Sequence, residues 1–155
     1  MTRDVLVVGA GVAGLAFARE MRAHGRDVLV LERARGVGGR CATRRIEGRP
    51  VDHGVAFLHG RDPRFLAELD GLGAAGAIPD WPRVTEGDGV PCQPAAFDGS
   101  ERRIALAAGV SGFAKHLADG LDVRLEANVE ALRLASDRDR ATQGAWELRL
   151  APGER

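Results

Sequence analysis

The sequence predicts an α/β fold built on a parallel sheet. Two short apolar runs, Val5–Val8 and Val28–Leu31, have the length and the β-branched content of buried parallel strands. Helix-forming residues fill the segment from Val12 to His24, and Gly25 follows at a position typical of helix ends. A strand, a helix and a strand within about 30 residues predict a βαβ unit.

The composition is that of an ordinary globular protein. Of 155 residues 45% are hydrophobic, and 22 basic residues balance 22 acidic ones. Zero net charge indicates neither nucleic acid nor an anionic membrane as a partner. Cys41 and Cys92 form neither a metal-binding pattern nor a disulfide framework, so we expect reduced thiols and no metal. The small and apolar stretch Val5–Ala18 is shorter than the roughly 20 residues of a membrane span. A secretory signal is the alternative interpretation, but three glycines lie within the stretch and Asp4 offsets Arg3, so we expect a cytoplasmic protein.

A glycine motif joins the first predicted strand to the helix. Residues 9–14 read Gly-Ala-Gly-Val-Ala-Gly, so Gly9, Gly11 and Gly14 match G-x-G-x-x-G, with Val12 and Ala13 opening the helix. In such a motif the first glycine permits a tight turn, the second lets the backbone approach a pyrophosphate, and the third lets helix and strand pack closely. The sequence therefore predicts a Rossmann-like dinucleotide site at the helix N-terminus.

Glu32 ends the second strand, where an acidic residue binds ribose hydroxyls in such folds. A carboxylate about 4 Å from a 2′-phosphate would cost on the order of 4 kcal/mol at an effective dielectric of 20, which disfavours NADP. Arg33 follows directly and would weaken that repulsion. NAD and FAD both remain compatible with these residues.

A second glycine motif distinguishes the two cofactors. Residues 35–43 fit R-x-x-G-G-R-x-x-[ST], with Gly38, Gly39, Arg40 and Thr43 at the defining positions. Here the chain resembles the FAD-dependent amine oxidase superfamily, and within it the bacterial renalase-like NAD(P)/FAD-dependent oxidoreductases. The resemblance implies FAD, with Gly38, Gly39 and Arg40 near its pyrophosphate. A flexible basic loop is the alternative.

The resemblance continues further along the chain. Asp52, His53 and Gly54 match the family's D-x-G segment near the flavin, although a hydrogen-bonded structural role is the other interpretation of His53. Val129 matches a valine whose backbone contacts the adenine in the family, and a plain edge strand is its alternative. The resemblance gives no catalytic side chain.

The remaining patterns predict the domain organisation. We expect an incomplete FAD-binding domain with a β-meander in residues 1–60 and 106–155, and an inserted segment toward the substrate side in residues 61–105. Residues 33–50 are predicted to be irregular, and residues 71–100 to be loop with short strands. Predicted helices and strands are Pro63–Leu72, Val110–Leu117 with Ser111 as a possible N-cap, Leu121–Leu125, Val129–Leu134 and Trp146–Leu150. So few parallel strands suggest a truncated doubly wound sheet.

The resemblance implies a flavin-dependent oxidoreductase in which a small amine or a reduced nicotinamide gives hydride to FAD. The alternative is a fragment that binds FAD weakly or not at all and catalyses nothing. A third hypothesis, an NAD-dependent dehydrogenase domain, is disfavoured because a site for NAD alone has no use for Gly38 and Gly39. The oligomeric state is not predicted.

Overall fold

The computed structural model describes residues 2–72, 77–79, 84–86, 90–92, 102–134 and 146–151. In the described residues the elements, in chain order, are β1 (Val5–Val8), α1 (Val12–Ala23), β2 (Val28–Leu31), a 3-10 turn (Gly39–Cys41), β3 (Thr43–Ile46), β4 (Arg49–Asp52), β5 (Leu58–Gly60), α2 (Pro63–Gly71), β6 (Ala77–Pro79), β7 (Val84–Glu86), β8 (Val90–Cys92), β9 (Arg102–Leu106), α3 (Ser111–Ala118), β10 (Asp122–Arg124), β11 (Val129–Leu134) and β12 (Trp146–Leu150). None of the described helices is long and apolar enough to cross a membrane.

The chain forms two compact units. The first contains Met1–Val37 and Ala118–Arg155, and the second contains Gly38–Leu117. The predicted division into residues 1–60 with 106–155 and an insertion at 61–105 concerns which segments bind the cofactor. That division stays a prediction.

A three-stranded parallel sheet forms the centre of the first unit. Its strand order is β1-β2-β10, and Val28 pairs with Val5 while Leu29 pairs with Asp122. All four residues of β2 are buried, as predicted for a central parallel strand. Val8 at the end of β1 is 55% exposed, so the expectation of a buried strand is wrong there. The reason is that β1 lies at the edge of the described sheet, where one flank has no neighbouring strand.

Helix α1 confirms the βαβ unit and agrees with the predicted bounds to within one residue. Leu15 and Ala18 are fully buried on one face of the helix. The helix ends at Ala23, and Gly25 then takes a left-handed conformation with φ of 74°. A residue without a Cβ adopts this conformation without strain, which explains the end of the helix.

The predicted strand at residues 121–125 is shorter than expected and belongs to the parallel sheet as β10. Strands β11 and β12 have the predicted bounds and pair as an antiparallel hairpin. Residues 135–145, which connect the two strands, lie outside the described residues. One apolar cluster joins this hairpin to the sheet; it consists of Leu29, Leu31 and Ala127 with Leu6, Val129, Leu148 and Leu150 against them.

Arg3 connects the starts of the three parallel strands. Its guanidinium donates to the carboxylate of Asp27 at 2.5 Å and to that of Asp122 at 2.6 Å. Asp27 precedes β2 and Asp122 begins β10, whereas Arg3 precedes β1. The hydrogen bond from Arg3 to Asp27, with the nearby charges, raises the pKa of Arg3 above its ordinary value. This ion-pair cluster fixes the end of the sheet opposite to the glycine motif.

The second unit begins with a hairpin that the sequence does not predict. Residues 33–50 are expected to be irregular, but β3 and β4 pair antiparallel, with Ile46 opposite Arg49. Glu47 and Gly48 form the connection, with φ of 49° and 79°. Two consecutive positive φ values are typical of a type I′ turn, which asparagine or aspartate followed by glycine usually announces. The sequence does not predict this hairpin because glutamate occupies the first turn position and because Pro50 is a residue that strands usually exclude.

The rest of the second unit combines two small sheets with α2 and α3. Strands β5, β9 and β6 form an antiparallel sheet in that order, and β7 pairs with β8. These short strands agree with the prediction for residues 71–100, whose connections lie outside the described residues. Helix α2 confirms the predicted helix from Pro63, and Phe65 meets Phe113 of α3 edge to face at 5.8 Å between ring centroids. Ser111 is the first residue of α3, one position later than a cap residue.

Candidate dinucleotide-binding site

The first and third glycines of the first motif have separate structural roles. Gly9 has φ of 99°, and its N–H donates to the carbonyl of Leu31 at 2.7 Å. A Cβ on Gly14 would lie 2.2 Å from the carbonyl oxygen of Gly9 and 3.3 Å from Cγ1 of Val7. Gly9 therefore permits the turn after β1, and Gly14 permits the helix to approach that turn.

Gly11 differs from the other two glycines because neither its backbone conformation nor the space beside it requires glycine. Its backbone is extended, with φ of −75° and ψ of 169°, and a Cβ would meet no atom within 4 Å. Gly11 is the N-cap of α1 and supplies no side-chain cap, and no acidic residue lies in the first turn. The first N–H groups of α1 and the positive end of the helix dipole thus suit an anionic group such as a pyrophosphate.

Glu32 lies beside this loop and is 9% exposed. Its Oε2 accepts from the N–H of Ala10 at 2.7 Å, and its Oε1 accepts from the N–H of Ala34 at 2.8 Å. The carboxylate therefore connects the glycine loop to the segment after β2, a role of Ala10 that the sequence does not reveal. A carboxylate has about four lone-pair sites, so acceptor capacity remains for ribose hydroxyls.

The first unit also contains the other predicted residues, which are Val12, Ala13, Arg33 and Val129. Val12 is half-buried, whereas Ala13 and Arg33 are exposed. Val129 packs against the apolar cluster under the hairpin, so its side chain has a structural role. The contact predicted for its backbone stays a prediction.

The second glycine motif forms a tight turn in the second unit. Gly38 and Gly39 have φ of 122° and 55°. The N–H of Cys41 donates to the carbonyl of Gly38 at 2.9 Å, which closes the turn. Arg40 is exposed. Burial raises the pKa of the Cys41 thiol above its ordinary value, and the nearby positive charge of Arg40 offsets only part of this shift. Cys41 therefore carries less thiolate than an exposed cysteine at neutral pH.

Thr43 and Asp52 lie together and contact the start of α3. The hydroxyl of Thr43 donates to Oδ1 of Asp52 at 2.5 Å and accepts from the N–H of Ser111 at 3.1 Å. The two carboxylate oxygens of Asp52 lie 3.1 Å and 3.2 Å from the N–H of Val110. The sequence associates both side chains with a cofactor but does not predict their partners at the start of α3, because 58 residues separate Asp52 from Val110 and 68 separate Thr43 from Ser111.

Gly54 fits tightly against the second motif. A Cβ there would lie 2.2 Å from the carbonyl oxygen of Arg40, and that oxygen accepts from the N–H of Val55 at 3.0 Å. His53 is exposed. The structure thus brings Arg40, Thr43, Asp52 and Gly54 together in the second unit, and Gly9, Gly11, Gly14 and Glu32 together in the first.

Three comparisons place this geometry among known proteins. Residues 7–72 match a family of NAD(P)-binding Rossmann-like domains. The chain is 45% identical over 89 residues to a Mycobacterium tuberculosis protein named as a flavin-containing monoamine oxidase. It is 39% identical over 92 residues to putrescine oxidase of Kocuria rosea. These alignments cover 57% and 59% of this chain, but only 19% and 18% of the relatives. The chain thus spans about a fifth of the curated relatives it matches.

Solved structures show the same fold. Wild-type putrescine oxidase bound to putrescine has a TM-score of 0.63 at 17% identity, over 85% of this chain and 52% of that one. A fatty acid isomerase from P. acnes has a TM-score of 0.68 at 13% identity, over 99% of this chain and 56% of that one. At such identities the likeness concerns the fold and not the reaction.

The fold and the sequence relatives agree with the resemblance that the two glycine motifs indicate. Over its N-terminal part, the chain is similar to NAD(P)-binding Rossmann-like domains and to proteins named as flavin-containing amine oxidases.

Proposed function

We propose that this chain binds the ADP portion of FAD and serves a flavin-dependent oxidoreductase that oxidises a small amine. The observation that carries the proposal is the glycine loop: open space at Gly11, uncapped N–H groups at the start of α1, and the buried carboxylate of Glu32 beside them. In the proposed complex the pyrophosphate lies at Gly11 and the ribose hydroxyls bind Glu32. Gly38, Gly39 and Arg40 are proposed to add further contacts to the pyrophosphate.

FAD, when bound, supplies the redox chemistry by accepting a hydride equivalent from the donor. The residues of this chain bind the cofactor, orient it and select its nucleotide portion. The names of the relatives support an amine donor over a reduced nicotinamide, since they specify a monoamine oxidase, putrescine oxidase and (S)-6-hydroxynicotine oxidase of Paenarthrobacter nicotinovorans. The competing proposal is a chain that binds FAD without catalysing a reaction.

The variant Gly11→Val tests cofactor binding. The extended backbone accepts a side chain and no atom lies within 4 Å, so the variant is expected to fold normally. Its isopropyl group would occupy the pyrophosphate position and is expected to weaken FAD binding by about 100-fold or more, about 2.7 kcal/mol. The measurement is a titration with FAD followed by the visible flavin absorption after removal of free flavin.

Ala16→Val is the matched control, because Ala16 is an exposed residue of the same helix about one turn further on. It is expected to bind FAD like the parent chain. Unchanged affinity in folded Gly11→Val would refute the assignment of this loop. If the parent chain binds FAD, anaerobic addition of a diamine and, separately, of NADH shows which donor bleaches the flavin, and bleaching by neither favours the non-catalytic alternative.

A further inference from the structure

Thr43 ends the second glycine motif and Asp52 lies in the segment that the resemblance places near the flavin, yet their polar atoms already have partners within the second unit. The hydroxyl of Thr43 has one donor bond to Asp52 and one acceptor bond from Ser111. Both oxygens of Asp52 face the N–H of Val110. We propose that Thr43 and Asp52 are positioning residues, which hold the turn of the second glycine motif against the start of α3 and do not contact FAD.

The first step of the argument concerns α3. The first N–H groups of a helix lack partners within the helix and need acceptors from elsewhere. Ser111 is the first residue of α3, and the hydroxyl of Thr43 accepts from its N–H, which satisfies one of these groups from outside the helix. The N–H of Val110, a fully buried residue, finds its acceptor in Asp52. The cap of α3 therefore comes from β3 and β4.

The second step concerns the close contacts around Thr43. A Cβ on Gly109 would lie 2.3 Å from Cγ2 of Thr43, and Gly109 has φ of 97°. A Cβ on Gly38 would lie 3.4 Å from Cβ of Ala114 in α3 and 3.0 Å from the carbonyl oxygen of Cys41. Glycine at both positions lets α3 pack directly on the segment from residue 38 to residue 43.

The third step connects the cap to the motif. Thr43 follows the 3-10 turn Gly39–Cys41 after one residue, and the carbonyl of Arg40 is held by the N–H of Val55. The turn is thus fixed on one side by Thr43 and on the other by the segment after Asp52. Positions of Gly38, Gly39 and Arg40 depend on this pair, and their proposed role in binding pyrophosphate rests on the proposed function above.

Hydrogen exchange of the chain without FAD tests the positioning role. Thr43→Val keeps the shape of the side chain and removes both hydrogen bonds, so backbone amides of residues 38–43 and 110–113 are expected to exchange roughly fivefold to tenfold faster. Thr43→Ser retains the hydroxyl and is expected to restore exchange to within about twofold of the parent chain. Thr2→Val is the control for the substitution itself, since Thr2 is exposed.

FAD affinity distinguishes positioning from contact. We expect Thr43→Val to weaken FAD binding roughly tenfold. Adding Asp52→Asn to this variant should weaken FAD binding little further, because both changes release the same turn. Weaker binding with unchanged exchange would overturn the inference in favour of direct contact with FAD. Unchanged exchange in Thr43→Val would overturn it whether or not FAD binds. If the parent chain does not bind FAD, the proposed function fails, and the exchange data still decide the positioning role.

Discussion

At the scale of the residue, the three glycines of the first motif differ in what the fold requires of them. Gly9 needs a positive φ, Gly14 needs the absence of a Cβ against the backbone, and Gly11 has neither requirement. Only Gly11 combines an ordinary backbone conformation with open space for a Cβ, so the fold itself does not require glycine there. This difference separates the effects of substitutions on folding from their effects on binding.

Gly14→Ala is expected to destabilise the fold. Its Cβ would lie 2.2 Å from the carbonyl oxygen of Gly9, a backbone atom that cannot move without distorting the loop. Overpacking of this kind typically lowers the free energy of unfolding by about 1–3 kcal/mol. Urea denaturation measures the effect. Gly36→Ala is the control, because it would meet no atom within 4 Å; equal stability of Gly14→Ala and the parent chain would contradict the close approach.

The motif spacing predicts Gly9, Gly11, Gly14 and Glu32 correctly as neighbours, because each follows a strand end of one local βαβ unit. The same spacing does not show that Glu32 is buried and bound to two backbone N–H groups. The burial of Glu32 depends on residues 124–127, which lie beside it. Arg124 pairs with Leu31 of β2, and the backbone of Glu32 forms hydrogen bonds with those of Arg124 and Ala127. No local pattern near Glu32 contains that information.

At the scale of the element, predictions succeed where the chain contains its own start and stop signals. Helix α2 is an example, since Asp62 caps it and Pro63 occupies its first position. Strand β9 is the opposite case, because Arg103 is buried at 2% exposure in place of an apolar residue. A prediction based on hydrophobic pattern misses this strand, because a charged residue occupies a buried position.

The cap of α2 predicts a dependence of stability on pH. Asp62 accepts from the N–H of Arg64 at 2.8 Å and from that of Phe65 at 3.4 Å, and hydrogen bonds from Arg64 lower the pKa of Asp62. A lowered pKa in the folded state means that stabilisation is complete above the ordinary aspartate pKa of about 3.9 and is lost as the pH falls through the folded value.

Thermal unfolding by circular dichroism between about pH 7 and about pH 3 checks this dependence. Asp62→Ala is expected to lower the melting temperature near neutral pH. The difference in melting temperature between this variant and the parent chain should become smaller in acid, because the parent carboxylate becomes protonated. Asp62→Asn keeps a capping oxygen without a titrating group, so its cap should not respond to pH. If the difference in melting temperature between Asp62→Ala and the parent chain stayed constant across this pH range, the charge on Asp62 would not stabilise the helix.

At the scale of the whole molecule, the sequence predicts the α/β class but not how distant segments combine. Strand β10 pairs with β2 although Asp122 and Leu29 are far apart in sequence. The sequence predicts a strand at residues 121–125 but not the strand with which it pairs. The first glycine motif lies in the first unit and Gly38 and Gly39 of the second motif lie in the second, a division that follows from packing and not from motif spacing.

The hairpin β11–β12 contributes to the core of the first unit through one face only. Leu148 packs against the cluster of Leu29, Leu31 and Ala127, whereas Leu134 of the same hairpin is 57% exposed. Leu148→Ala is therefore expected to lower the free energy of unfolding by about 1–2 kcal/mol, less than a fully buried leucine. Leu134→Ala removes the same atoms and is expected to change it by less than about 0.5 kcal/mol.

Chemical denaturation of both variants makes the comparison. Similar losses would mean that the hairpin does not cover the sheet, and that the exposed and packed faces of β11–β12 are equivalent. A loss confined to Leu148→Ala would show that a segment more than 100 residues from the glycine loop completes the core beneath β2. Glu32 directly follows β2, so the hairpin would then support the strand that places this carboxylate beside Ala10.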